Sequence, residues 1–278
     1  MPRGGTEVDY ENLKFELDEG VALVTLNRPE RLNAINPGLA HELLHVVEST
    51  ERDDDVKVLL FTGAGRAFSA GADVLAGYQE RDADQKLDER DGYRRMLQGP
   101  IGHWGVLYSA LGHYPKPIIA AVNGISAGAG LSLALAADIR IASTEAKFIS
   151  IFIRRGLVPD TGTSWHLPQL IGRGRAVEMM LSGDEVDAGT ADKWGLANRV
   201  VEPDQLMPES MALAKRLANG PTIALELTKR LVNDVTRGGL DGQIQNEAWA
   251  ATRGQLAEDA GEGVKSFAEK RDPNWTGR

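Results

Sequence analysis

One stretch of the chain decides the fold: residues 61–73 read FTGAGRAFSAGAD, a buried strand that leads into a glycine-rich turn. A second stretch has the same layout, because residues 121–130 read AVNGISAGAG and are expected to lead from a strand into a helix. Small residues let a backbone approach a ligand closely, and the first N–H groups of a helix have no partner within it. Two such turns in one pocket would present two backbone N–H groups to a single developing oxyanion.

Two other interpretations of the second turn fail. Gly128-Ala129-Gly130 is not a dinucleotide fingerprint, because its third glycine would fall at Leu133. Gly124 to Gly128 matches the G-x-S-x-G pattern of α/β-hydrolases, with Ser126 as nucleophile. A hydrolase triad needs a later histidine, and the only one is His166, 40 residues on (166 minus 126). That is too short for the strands and helices that normally carry the acid and the histidine.

The rest of the chain divides into a mixed core and a helical end. Strands are predicted at 13–17, 21–26, 56–62, 117–122, 138–142 and 146–149. The pair Asn36-Pro37 is expected to start a helix that runs to about Arg52. A further helix is predicted near 103–111, and others at 162–171, 173–182, 187–193, 203–218, 220–235 and 240–258. The charged segment 79–95 is interpreted as a solvated surface helix or excursion. We therefore predict a core over 1–202 and a helical region over 203–278.

Composition excludes several classes of function. The 278 residues include no cysteine, which rules out disulfides, thiol nucleophiles and iron–sulfur clusters. The net charge of −9 argues against nucleic acid as a partner, because phosphates require a basic surface. No apolar leader and no uncharged stretch of membrane-spanning length is present, so we expect no membrane contact and a cytoplasmic location.

Four segments in order resemble the crotonase (enoyl-CoA hydratase/isomerase) superfamily, and most of all its ring-1,2-epoxyphenylacetyl-CoA isomerases. They are LNRPERLNA at 26–34, FSAGAD at 68–73, the run from 117 to 142, and EGVKSFAEKR at 262–271. The resemblance implies an α/β (α+β) fold of ββα units wound into a superhelix. It also implies that the helical C-terminal region assembles trimers or dimers of trimers.

The resemblance further implies an acyl-CoA substrate whose thioester oxygen accepts hydrogen bonds from the N–H groups of Ala72 and Ala129. Coenzyme A enters as part of the substrate, so no separate cofactor and no metal is expected. The residues implied to contact coenzyme A are Ala70, Ala72, Asp73 and Val74 at the adenine, Arg28 and Arg31 at the phosphates, and Phe267 with Lys270 from a neighbouring subunit.

Hydratases of this family use two glutamates to activate water, and ungapped alignment places those positions at Ser132 and Phe152. Neither side chain performs acid–base chemistry, which argues against a hydratase. One acid remains nearby, Asp160 in GLVPDTGTSW at 156–165. We predict that Asp160 transfers protons in an apolar pocket lined by Ser132, Phe152, Leu157 and Trp165, where desolvation raises its pKa. The competing interpretation is that Asp160 only caps the helix expected from 162.

Other functions stay open at this point. One is a dehalogenase-like or thioesterase-like enzyme, in which an aspartate acts as nucleophile and a histidine activates water. His103 lies near the required histidine position, although the alignment puts Gly105 there. Another is a protein that binds acyl-CoA without catalysis.

Overall fold

The computed structural model describes residues 9–73, 102–235 and 238–278, with the backbone alone for 102–104. Val74 and the charged segment 79–95 therefore lie outside the described residues, as does the region directly after the first glycine-rich turn. Within the described ranges, no helix is both long and apolar enough to cross a membrane.

A six-stranded sheet forms the centre of the molecule, in the order β1-β2-β3-β5-β7-β10. The first two strands pair antiparallel, and every later neighbour is parallel. Parallel strands buried on both faces read as continuous apolar runs, which is the pattern that identified them in the sequence. The strands are β1 (Leu13–Asp18), β2 (Val21–Leu26), β3 (Val58–Gly63), β5 (Ile118–Val122), β7 (Ile139–Ser143) and β10 (Arg199–Val201).

A second, four-stranded sheet is built from very short strands in the order β4-β6-β8-β9. The first three are parallel and the last is antiparallel to its neighbour. They are β4 (Ala67–Ser69), β6 (Ile125–Ala127), β8 (Lys147–Ile149) and β9 (Glu185–Asp187). From β3 to β8 the chain contributes one strand to each sheet in turn, and this repetition is the ββα superhelix that the sequence led us to expect.

Ten helices are present among the described residues. Asn36 caps the first of them by accepting a hydrogen bond from the Leu39 N–H at 2.8 Å, which confirms the predicted start. The helices are α1 (Pro37–Glu51), α2 (Gly102–His113), α3 (Ala129–Ala136), α4 (Thr163–Ile171), α5 (Arg173–Ser182), α6 (Ala188–Trp194), α7 (Leu206–Ala218), α8 (Thr222–Asp234), α9 (Gly239–Gln255) and α10 (Glu258–Glu269).

The structure corrects the sequence interpretation at three places. Strands β9 and β10 were not predicted, because the sequence after residue 162 was interpreted as helical. Residues 67–69 and 125–127, which we took as parts of turns, are strands β4 and β6. The helix expected over 240–258 ends at Gln255, and a separate helix, α10, follows it.

Helix α7 packs directly on the main sheet, where its buried side chains form a second apolar core with residues of β2, β3, β5 and β7. Residues 206–218 therefore belong to the same packed layers as the preceding core. The division at 202 remains a prediction about the chain, as does the trimerisation role of 203–278.

A partly buried ion pair fastens helix α8 to the core. The Lys229 ammonium lies 2.8 Å from a carboxylate oxygen of Asp138 and donates to the Lys116 carbonyl at 2.9 Å. The same Asp138 oxygen accepts the Ile118 N–H at 2.7 Å, so the pair is tied to the start of β5. Burial lowers the pKa of Lys229, and the charge of Asp138 opposes that shift.

We expect Lys229→Met to lower the free energy of unfolding by about 2 kcal/mol or more, because removing one partner leaves a partly buried charge without compensation. Urea titration measures this change. The control is Arg154→Met, which breaks an exposed ion pair with Asp184 of similar length, 3.0 Å, and should cost less than about 1 kcal/mol. Equal effects of the two substitutions would contradict the anchoring role of Lys229.

Candidate active site

The first glycine-rich turn is held by Asn33, a fully buried residue with a positive φ of 54°. Its side-chain amide donates to the carbonyls of Ala64 and Ala67 at 2.9 and 2.7 Å. Its backbone carbonyl accepts the Ser69 hydroxyl at 2.8 Å. One asparagine therefore supports both ends of the turn that leads to Ala72.

The backbone around Ala72 orients its N–H. Ile35 donates its N–H to the Gly71 carbonyl at 2.7 Å and accepts the Asp73 N–H at 2.9 Å. In a parallel bridge of this kind, the residue between the two bonded groups directs its own N–H and C=O to the opposite side. The Ala72 N–H therefore points away from Ile35.

The second expected donor, the N–H of Ala129, lies at the start of α3. Gly128 precedes the helix with φ 52° and ψ −122°, a conformation that is accessible only to glycine, and Ala129 is the first helical residue. The N–H of a first helical residue has no partner within the helix, and the helix dipole gives this end a partial positive charge. Alanine at 129 fits, because its φ is not positive.

The two turns can pack directly against each other because the residue at their contact, Gly71, has no side chain. A Cβ on Gly71, whose φ is +96°, would lie 2.6 Å from the Ala127 carbonyl oxygen and 3.3 Å from the Ala129 nitrogen. Parallel pairing of Ser69 with Ser126 brings the turns side by side. Both turns read Ser-Ala-Gly-Ala, so each expected donor directly follows a glycine with a positive φ.

Tyr108 of α2 is hydrogen-bonded to the second turn and lies within the electrostatic influence of the acid. Its buried hydroxyl donates to the Ala129 carbonyl at 2.6 Å. Burial raises the pKa of Tyr108, and the negative charge of Asp160 raises it further. Asp160 thus acts electrostatically on the side chain that fixes Ala129.

Asp160 lines a cavity of about 940 Å³ between the core and helices α7 and α8, together with Tyr108, Thr161 and Trp165. As a residue Asp160 is exposed, yet partial burial of the carboxylate raises its pKa, and a hydrogen bond from its own backbone N–H acts in the opposite direction. The capping interpretation is wrong. Helix α4 has Gly162 as its N-cap and receives no side-chain cap bond.

The four predicted pocket residues occupy different environments. Ser132 is fully buried, with its hydroxyl between those of Thr161 and Thr163. Phe152 is also buried, whereas Leu157 and Trp165 are 49% and 59% exposed. Of the four, Trp165 lines the cavity with Asp160. In the single chain, Leu157 therefore does not enclose the acid as expected.

The residues expected to contact coenzyme A also differ in exposure and in their contacts. Arg28 is 16% exposed, donates to the Ala34 carbonyl and pairs with Asp73 at 3.2 Å, so it holds the first turn in place. Arg31 is exposed, and Ala70 is partly exposed. Phe267 and Lys270 both lie on the surface of the single chain, and Phe267 is 86% exposed.

Comparison with known proteins identifies the architecture. Residues 16–278 match the family model described as enoyl-CoA hydratase/isomerase. The chain belongs to the enoyl-CoA hydratase/isomerase family, the crotonase superfamily. It is 38% identical to the 1,2-epoxyphenylacetyl-CoA isomerase of Escherichia coli (strain K12), over 96% of this chain and 99% of that protein.

Hydratases of the family are similar as well. The chain is 33% identical to the crotonyl-CoA hydratase of Syntrophomonas wolfei, over 96% of this chain and 98% of that protein. The crystal structure of an enoyl-CoA hydratase from Bacillus anthracis superposes with a TM-score of 0.86 at 29% identity, covering 96% of this chain and 100% of that one. The protein is thus an acyl-CoA enzyme of the enoyl-CoA hydratase/isomerase family, and the choice between the two reactions depends on its site residues.

Three residues near this site were missed in the sequence. Tyr108 lies in an apolar helix segment, where a tyrosine is typical of an ordinary core position. Thr161 and Thr163 follow Asp160 closely, at the start of the helix predicted from 162. A signal was present for the threonines, because two hydroxyls close after an expected acid are unusual for a purely apolar pocket.

We expect Gly71→Ala to lower the free energy of unfolding by about 2 kcal/mol or more, because the methyl group meets a carbonyl oxygen and alanine is strained at this φ. Thermal unfolding measures it. Gly174→Ala is the matched control, since a Cβ there has no atom within 4 Å, and helix α5 should gain rather than lose stability. A Gly71→Ala variant as stable as the control would show that the turns do not need their close contact.

Proposed function

We propose that this enzyme is an isomerase that moves a proton within an acyl-CoA ester through a thioester enolate. The observation that carries the proposal is Asp160: a carboxylate on the cavity wall, with a raised pKa and no capping role, electrostatically coupled to the tyrosine that holds Ala129. The side chains at the two hydratase positions, Ser132 and Phe152, supply no second carboxylate.

In the proposed reaction the N–H groups of Ala72 and Ala129 donate to the thioester oxygen. Asp160 removes a proton from the α-carbon, and the electron pair moves onto that oxygen as an enolate. For a 3-enoyl ester, the protonated Asp160 then returns the proton to the γ-carbon, and the double bond shifts to the 2,3 position. Loss of one oxyanion donor typically costs about 10²–10³ in rate, so the two amides supply a large share of the stabilisation.

Substrate binding is proposed at the surface around the first turn. Arg31 is exposed and is suited to phosphate, whereas Arg28 acts through Asp73 to shape the turn. Ala70, Ala72 and Asp73 offer backbone groups to the adenine. Phe267 and Lys270 would reach the coenzyme A of a neighbouring subunit, which implies a homotrimer or a dimer of trimers.

We expect Asp160→Asn to abolish proton transfer and to leave acyl-CoA affinity within about twofold of wild type. The assay incubates the enzyme in D₂O with the 3-enoyl-CoA ester that raises its Tm most, and follows deuterium at the α- and γ-carbons by NMR. Ligand-induced stabilisation reports binding in the same samples. Asp184→Asn, which changes an exposed acid paired with Arg154, serves as control and should match wild type.

Two further readouts belong to the same experiment. The ionised form of Asp160 is the base, and its pKa is raised. As the pH is lowered, the wild-type rate should therefore begin to fall at a pH above the ordinary pKa of aspartate, which is about 4. A raised folded-state pKa means that the ionised carboxylate destabilises the fold at neutral pH, so Asp160→Asn should keep or increase the Tm. Full exchange in Asp160→Asn, or rapid hydration of crotonyl-CoA by wild type, would overturn the proposal.

A further inference from the structure

Three buried hydroxyl groups meet between the oxyanion helix and the acid. The Ser132 oxygen lies 2.6 Å from the Thr161 hydroxyl, 2.6 Å from the Thr163 hydroxyl and 3.2 Å from the Gly128 carbonyl. The three residues are at most 2% exposed. Polar groups at such depth are stable only when hydrogen-bonded, so the cluster imposes a definite geometry on the segments that carry it.

One assignment of hydrogens gives each hydroxyl an acceptor. The Gly128 carbonyl accepts only, so Ser132 donates to it, and Ser132 then accepts from both threonines through its two lone pairs. In this arrangement a single serine is the common partner of both threonines. Replacing it leaves two buried donors without an acceptor.

The cluster joins the two halves of the proposed chemistry. Gly128 is the N-cap of α3 and directly precedes Ala129, whose N–H is a proposed oxyanion donor. Thr161 directly follows Asp160, and Thr163 is the first residue of α4. On the other side of Asp160 the chain is loosely packed, since Leu157 and Val158 are 49% and 75% exposed. The buried Thr161 is therefore the neighbour of Asp160 that is best placed to fix the acid relative to the oxyanion site.

We propose that Ser132, Thr161 and Thr163 form a positioning cluster that sets the Asp160 carboxylate relative to the Ala129 N–H. The inference rests on the proposed proton transfer and goes beyond it. It assigns a role to the serine that the sequence aligns with a catalytic carboxylate of hydratases: Ser132 is fully buried and acts through the threonine beside the acid. Displacing a reacting group by about 1 Å can cost about 10² in rate, so a loosened segment has a measurable effect.

The test compares two substitutions at one position. Thr161→Val keeps the shape and removes the hydroxyl, whereas Thr161→Ser keeps the hydroxyl and removes a methyl group. We expect Thr161→Val to lower kcat for α-proton exchange in D₂O by about 10–100-fold with KM changed less than threefold. Thr161→Ser should retain at least half of the wild-type kcat. The acid limb of the pH profile of Thr161→Val should move to lower pH, because a released Asp160 is better hydrated.

A purely structural role gives a different pattern. Thr50→Val is the control, because Thr50 is equally buried and its hydroxyl bonds the Val46 carbonyl and Tyr114, away from the site. That variant should lose stability and keep kcat. If Thr161→Val behaves in the same way, with a lower Tm, unchanged kcat and an unchanged acid limb, the positioning role is refuted.

Two further variants make the result decisive. If Thr161→Val does not fold, Ser132→Ala replaces it, with the same expected loss of kcat and the same refuting outcome. Asp160→Asn is measured in parallel. Loss of exchange in Asp160→Asn with full exchange in Thr161→Val rejects the cluster alone, whereas full exchange in Asp160→Asn rejects the proton-transfer function on which it rests.

Discussion

The contact between two backbone turns is the constraint on which the rest of this structure depends. Gly71 approaches the Ala127 carbonyl and the Ala129 nitrogen so closely that no side chain fits between them. The short parallel strands β4 and β6 set this approach, and the buried Asn33 supports the first turn from behind. A repeated strand–strand–helix unit delivers the same Ser-Ala-Gly-Ala sequence twice to the same place, and two amide donors follow from that repetition.

Around this fixed pair of turns, the identity of a few side chains selects the reaction. Fixed backbone dipoles need no rearrangement when negative charge develops, so they suit any chemistry that passes through a thioester enolate or a related oxyanion. At the two positions where the sequence analysis expects the carboxylates of a hydratase, this chain has a buried serine and a buried phenylalanine. One partly desolvated acid, Asp160, is suited to take up a proton and return it, and its raised pKa makes it a stronger base for the first of these steps.

The sequence predicted the large elements well, because their signals are local. The apolar runs of β3 and β5 and the Asn36 cap of α1 can be read from a few neighbouring residues. The three-residue strands β4, β6, β9 and β10 were missed because so short a strand has no periodicity of its own and depends on pairing with distant segments. Helix α10 was missed at a boundary, the least certain feature of a sequence pattern.

The sequence predicts candidate site residues but not the contacts around them. Asp160, Ala72 and Ala129 remain predictions as site residues, and neither the hydrogen bond from Tyr108 nor the hydroxyls around Ser132 were predicted. These contacts join residues that are 21 and 29 positions apart, and nothing in either local sequence specifies the partner. The ion pair of Arg28 with Asp73 was not predicted either, because its partners are 45 positions apart.

If two peptide amides polarise one thioester carbonyl, its stretching frequency must change on binding, and isotope-edited infrared spectroscopy detects that change. The measurement records the ¹³C=O stretch of a bound acyl-CoA ester in wild-type enzyme and in Asp160→Asn, where the ester is not consumed. We expect a clear shift to lower wavenumber on binding, of equal size in both proteins, because the donors are backbone groups. A carbonyl stretch that does not change between solution and the bound state would contradict it.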